Sequence, residues 1–158
     1  MATTTTARTV RVKAQPITAE NFAPYGRLVT VERGGLSLRE GHFTARLMTV
    51  ERVPQRLNSI NRHLDHTQLF IPLGGAPFAV FVAPPDEPVD GFDPSNIAAF
   101  TTDGQTAVIF HVGTWHIEPR SLQGDTCQLV NVQSNVSPQN TELIAVEDEL
   151  GVTVELAV

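Results

Sequence analysis

The amino-acid sequence predicts an all-β domain closed into a compact barrel or jelly roll. Two observations carry that expectation. Seven short runs with alternating or β-branched apolar residues lie between Gly, Pro and Asp turn signals, and only one segment opens like a helix. A third sets the scale. At 158 residues, with 41% hydrophobic and 18% charged, the chain suits one domain with a sizeable core, and neither disorder nor a fibrous fold is indicated.

In chain order the strand-like runs are 9–12, 27–31, 43–50, 68–73, 78–82, 107–110 and 127–132. Their length, β-branched content and flanking turn residues read as strands. After the first run, Thr18-Ala19-Glu20-Asn21-Phe22 opens like a helix, because a threonine side chain caps the free N–H groups of a first turn; Pro24 and Gly26 stop it early. Gly74-Gly75 ahead of Pro77 marks a turn, and Pro84-Pro85-Asp86-Glu87-Pro88 an extended loop. With no repeat period and no long linker, residues 1–158 form a single domain, with 1–8 expected to be flexible and 134–158 an acidic C-terminal segment. Many short strands must close or pair face to face to hide their edges, and the mouth of such a barrel is the usual place for a ligand.

A net charge of −6 argues against a nucleic-acid partner, which needs a basic patch. No apolar run approaches the ~20 residues that cross a bilayer. The opening MATTTTARTVRVK lacks the apolar centre of a secretory signal, so no membrane partner and a cytoplasmic location are expected. Cys127 is the only cysteine, which precludes an internal disulfide and fits a reducing compartment. Within its strand-like run it reads as a buried, inert thiol rather than a nucleophile.

Four of the five histidines fall in two pairs, His63 with His66 and His111 with His116, each at the edge of a strand-like run. A barrel brings such edges together, and imidazole both binds metals and titrates near neutrality. Histidines at strand ends are also commonly solvated or hydrogen-bonded structural residues, so spacing has to decide. His63 is followed by four residues, Gln68, six residues and Gly75; later comes His111-Val112-Gly113-Thr114-Trp115-His116. These segments resemble the two metal-site motifs of the cupin family, with Gly113 and His116 in register with the second. Asn61 stands where that pattern has its first histidine, Gln68 its glutamate, His111 its proline and Arg120 a later asparagine. Within the cupins, Asn21-Phe22-Ala23-Pro24-Tyr25-Gly26, Arg62-His63 with Gln68, Phe70 and Pro72-Leu73, and Gly113-Thr114-Trp115-His116 are together similar to the ureidoglycolate lyase (also called hydrolase) family of purine and allantoin catabolism. The resemblance runs over residues 10–132.

The resemblance implies a cupin-like β-barrel that cleaves a carbon–nitrogen bond. Ureidoglycolate is a carbinolamide bearing a carboxylate, and releasing urea and glyoxylate means removing the hydroxyl proton, breaking the C–N bond and protonating the departing nitrogen. A base and an acid suffice. The resemblance places His63, Gln68 and His116 around the centre as ligands of a divalent metal (Ni, Mn or Zn), weakly bound or absent, because two imidazoles and an amide compensate charge poorly. His116 is favoured for acid–base work, with His63, His66, His111 and Glu118 as further catalytic candidates; a glutamate would need its pKa raised. Arg46 and Arg62 are candidate clamps for the carboxylate, Gln68 a substrate contact and Trp115 a pocket wall. Two other readings stay open: another cupin lyase or isomerase acting on a small carboxylated substrate, which Asn61 and Glu118 favour, and a non-catalytic module binding a small ligand. The family's barrels commonly pair, so a homodimer is expected.

Overall fold

The computed structural model describes residues 8–29 and 42–158, which form fourteen strands and two short α-helices. β1 (Arg8–Pro16) leads into α1 (Ala19–Phe22) and β2 (Gly26–Leu28), followed by β3 (Thr44–Glu51), β4 (Arg56–Leu57), β5 (Ser59–His63), β6 (Gln68–Pro72) and β7 (Phe78–Ala83). After a 3₁₀ turn at Pro94–Asn96 come β8 (Ala98–Thr101), β9 (Val108–Phe110), β10 (Trp115–His116), β11 (Arg120–Ser121), β12 (Thr126–Gln133) and β13 (Thr141–Ala145). α2 (Val146–Leu150) and β14 (Val152–Ala157) complete the order. Each strand-like run of the sequence overlaps a strand, although Thr30 and Val31 of run 27–31 lie outside the described residues. So does the expected flexible start, except Arg8, which opens β1.

α1 is short but well capped. Thr18 Oγ1 accepts from the Asn21 N–H at 3.1 Å while Asn21 Oδ1 accepts from the Thr18 N–H at 2.8 Å, a reciprocal box with asparagine in the usual glutamate place. The segment 134–158 is more than an acidic tail. β13 adds to β5 with Ile144 opposite Ile60, and β14 runs parallel to β1 with Val154 beside Val10. Ile144, Val146, Val152 and Val154 are buried, whereas Glu147, Asp148 and Glu149 stay exposed.

The strands make two curled sheets that face each other as a cupin-like half-barrel. One has nine strands in the order β13-β5-β10-β7-β8-β1-β14-β4, with β11 also on β7; the other has five, β2-β9-β6-β12-β3. β7 is covered on both faces, which is why its sequence is an unbroken apolar run. Phe78, Val80 and Val82 share a core with Phe70, Val108, Phe110 and Leu129, while Ala79, Phe81 and Ala83 pack with Ile60, Trp115 and Val154. In the first core Phe22 meets Phe100 edge-on at 5.4 Å between centroids, a geometry worth about 0.5–1.5 kcal/mol beyond the area it buries.

That core gives way to a polar mouth along two neighbouring strands. β12 pairs with β3 so that Cys127 faces Val50, Leu129 faces Met48, Asn131 faces Arg46 and Gln133 faces Thr44. Side chains two apart share a face, so the inward row passes from apolar to polar between Leu129 and Asn131. Cys127 itself is buried and free, as expected of an inert core thiol.

Candidate active site

The polar mouth is a cavity of about 300 Å³. Arg46, Gln68, Asn131 and Gln133 line it from the five-stranded sheet; His63, His116 and Thr141 line it from β5, β10 and β13, with Glu118 following β10. Strand alternation makes the selection. On β5, Asn61 and His63 reach the cavity while Ile60 and Arg62 point away; on β10, His116 reaches it and Trp115 does not. Pairing brings the inward groups side by side, His116 opposite Asn61 and Thr141 opposite His63.

A turn delivers His116 to this face. His111-Val112-Gly113-Thr114 closes with the Thr114 N–H donating to His111 O at 3.2 Å, and Gly113 takes φ 82°, a left-handed conformation that costs other residues about 1–2 kcal/mol. The Gly113 N–H donates to His63 O at 2.8 Å, so the turn is tied to the strand carrying the other imidazole. Tyr25 O accepts from both the His111 N–H at 2.9 Å and the Thr114 hydroxyl at 2.7 Å. The segment 21–26 therefore acts as the anchor of this turn.

Hydrogen bonds fix the tautomers of both imidazoles. His116 Nδ1 lies 2.8 Å from Thr114 O, which only accepts, so Nδ1 carries the hydrogen and Nε2 the lone pair. His63 Nδ1 is 3.2 Å from Thr141 Oγ1, whose own hydrogen goes to Asn140 Oδ1 at 3.1 Å; here too Nδ1–H donates and Nε2 is left as an acceptor. The ring centroids are 5.1 Å apart. Burial pushes His116 down to about 4, the Thr114 carbonyl opposing and the charge of His66 assisting. Burial likewise drives His63 to about 3, with His116 and His66 adding to the effect and Asp65 opposing it. At neutral pH the cavity thus holds two uncharged imidazoles beside the guanidinium of Arg46, which makes no ion pair among the described residues.

His66 sits behind this pair rather than in the cavity. It stacks on His63 with centroids 4.9 Å apart, and its Nδ1 lies 2.6 Å from Asp65 Oδ1. Burial works to raise the Asp65 carboxyl, yet hydrogen bonds from Asn140 and His66 outweigh it and hold the group below its ordinary value. A chain of hydrogen bonds through Asn140 and Thr141 therefore joins Asp65 to His63.

Three other sequence candidates lie outside the cavity. Arg62 was expected to clamp a carboxylate, but it points to the opposite face of β5, where its Nε donates to Glu142 at 2.5 Å and its Nη1 to Pro85 O and Glu87 O. Its guanidinium carbon stacks 4.5 Å over the ring of Trp115. Trp115 was expected to wall the pocket; it is fully buried in the other core against Phe92, donating from Nε1 to Glu87 O at 2.9 Å. Adjacent residues of a strand face opposite ways, and placing His63 and His116 inward sends Arg62 and Trp115 outward together. His111 spends its ring on Ala23 O, 3.1 Å from Nε2, as part of the anchor. Conversely, Asn131, Gln133 and Thr141 line the cavity without having been singled out from sequence. For the first the signal was available: a polar residue on the apolar face of an alternating run.

Comparison with known proteins gives the family. The family model described as ureidoglycolate lyase matches residues 37–154. A ureidoglycolate lyase of Pseudomonas paraeruginosa is 32% identical over 160 residues, covering 87% of this chain and 92% of the relative. The chain belongs to the ureidoglycolate lyase family. A ureidoglycolate lyase of Azotobacter vinelandii is 30% identical, covering 85% of this chain and 92% of the relative, and one of Stutzerimonas stutzeri is 33% identical over 124 residues, covering 65% and 71%.

In this ureidoglycolate lyase family member His63, Gln68 and His116 are the cavity residues that could hold a divalent ion. His63 and His116 supply two nitrogens and Gln68 a neutral amide, and among the described residues no three His, Cys, Asp or Glu side chains are grouped as a metal would need. Glu118, the carboxylate at the cavity, lies 3.8 Å from the guanidinium of Arg120.

Proposed function

We propose that this chain is a ureidoglycolate lyase, cleaving ureidoglycolate to glyoxylate and urea. The single observation that carries the reading is the pair of buried, uncharged imidazoles, each with its Nδ1 occupied and its Nε2 left as an acceptor, in one cavity with Arg46, which makes no ion pair among the described residues. Arg46 holds the substrate carboxylate through parallel hydrogen bonds. Nε2 of His116 takes the hydroxyl proton; the oxygen's electrons form the aldehyde C=O, and the C–N pair departs with the ureido nitrogen. The same imidazolium then returns its proton to that nitrogen, so no water is consumed. A depressed pKa suits the second half of this cycle, because an imidazolium that titrates at about 4 is a strong proton donor. His63 shares the cavity as the second acceptor, and its closeness to His116 disfavours two protons on the pair at once.

The reading extends to a place in allantoin catabolism, in the cytoplasm, which the lone buried Cys127 suits. It also includes a homodimer. Leu47, Val130 and Ile71 lie side by side across β3, β12 and β6 on the outer face of the five-stranded sheet, with Leu47 68% and Ile71 37% exposed. An apolar row of this kind suits burial against a second copy. The test of the activity is direct: purified protein incubated with ureidoglycolate should release glyoxylate and urea in equal amounts without ammonia. Release of neither product would move the assignment to another carboxylated substrate.

A further inference from the structure

Three amide side chains form one wall of the cavity and none is satisfied. Gln68 Nε2 donates to Asn131 Oδ1 at 3.2 Å, a bond that leaves Gln68 Oε1 and Asn131 Nδ2 buried without a partner among the described residues. Turning both amides over would reverse the bond and leave the other nitrogen and oxygen in the same position, so one donor and one acceptor stay unpaired either way. Gln133 Oε1 is a further buried acceptor without a partner. Val132 pairs with Leu69, which makes Gln133 and Gln68 the next neighbours across β12 and β6. Buried polar atoms left unmade cost on the order of 1–3 kcal/mol each, so a cluster of them on a cavity wall is an arrangement built for a ligand.

The ligand chemistry follows from the atoms. A wall that offers one free N–H donor and two free carbonyl acceptors complements a group carrying both a carbonyl oxygen and N–H groups, as a ureido group does. The wall carries no charge of its own, so it does not compete for a carboxylate, and Arg46, directly opposite Asn131 on β3, supplies the cation next to it. From this juxtaposition we infer that Gln68, Asn131 and Gln133 are the ureido-recognition subsite, with the Gln68–Asn131 pair supplying one donor to the ureido carbonyl and one acceptor to its N–H groups, and Gln133 a second acceptor. This rests on the lyase reading for the identity of the substrate and adds what distinguishes a ureido acid from any other small carboxylate. A site that hydrogen-bonds N–H groups rejects ligands lacking them, because its own buried atoms would then stay unpaired.

The test uses two stable carboxylates on the full-length protein: oxalurate, which carries a ureido group, and glyoxylate, which does not. Calorimetric titration of the wild type should give oxalurate a dissociation constant ~10-fold or more below that of glyoxylate. Gln133→Met and Asn131→Leu, near-isosteric but without the polar atoms, should weaken oxalurate by about 10-fold and leave glyoxylate within about two-fold, whereas Gln133→Glu, which keeps an acceptor, should retain the preference. A wild type with no preference for oxalurate overturns the inference, as do variants that weaken both ligands equally or neither. The wild-type comparison stands even where a variant fails to fold. A protein that prefers oxalurate yet does not cleave ureidoglycolate would retain the subsite and lose the lyase reading; cleavage without the preference would do the reverse.

Discussion

Acidification should unfold this protein in a way that depends on His116. In the folded chain burial holds that imidazole at about 4, against an ordinary value of 6.5. Between those two values an unfolded chain binds a proton that the folded chain refuses, so stability falls as pH drops from 6.5 and the loss is complete once pH passes below 4. The gap is worth on the order of 3 kcal/mol, which for a chain of this length lowers the melting temperature by roughly 10 °C. His63 acts in the same direction, being held at about 3. The perturbation is His116→Gln, which removes the group and one of the influences that hold His63 down. Thermal melts at pH 7 and pH 4 followed by circular dichroism give the readout as a double difference, so that carboxylates common to both proteins cancel. The wild type should lose about 10 °C more than the variant between the two pH values. Equal losses would mean that His116 is solvated and titrates normally, and would remove the physical basis for treating it as a buried neutral base.

Four further outcomes follow from the geometry. Arg46→Ala should raise KM for ureidoglycolate with little change in kcat, because the contact is made equally in ground and transition states; a loss confined to kcat would place Arg46 elsewhere. Arg62→Ala should instead lower stability, on the order of 2–3 kcal/mol by denaturant melts, since it strands Glu142 and two backbone carbonyls, and a KM effect in a fully stable variant would contradict the placement. Exhaustive dialysis followed by elemental analysis should leave divalent metal well below one ion per chain; a stoichiometric, chelator-resistant ion would show that Glu118 or another group completes the coordination. Leu47→Asp should shift sedimentation from dimer to monomer, and an unchanged dimer would move the interface off the outer face of β3, β12 and β6.

The legible part of this fold was the part with periodicity. Runs such as 43–50 and 127–132 are long enough to read as strands, although facing did not follow from apolar content in 43–50, where Leu47 is exposed and Arg46 and Met48 line the cavity; Gly113 with His116 marked the turn and the imidazole it delivers. β4, β10 and β11 have two residues each and no period to read. β13 and β14 were hidden by charge: the buried Ile144, Val152 and Val154 lie between the acidic residues Glu142, Glu147 to Glu149 and Glu155. At the site, residue type was readable but facing was not always. Arg62 and Trp115 each neighbour a cavity histidine in sequence, and on a strand that adjacency guarantees the opposite face once the histidine is inward. Nothing in the local pattern around His63 announced β5, so that rule lacked a strand to act on. Asn131 and Gln133 were the reverse case, polar side chains whose inward position followed from the alternation of Cys127 and Leu129.

Single-turnover kinetics of His116→Ala tests whether His116 moves the proton in carbon–nitrogen cleavage. With saturating protein and ureidoglycolate, glyoxylate formation should slow by ~10²–10⁴-fold relative to wild type while oxalurate binding and the folded spectrum persist. The wild-type rate should stay level through neutral pH and decline only as pH falls towards 4, where protonation removes the acceptor. A His116→Ala protein that turns over at the wild-type rate would contradict the account and hand the proton to another group.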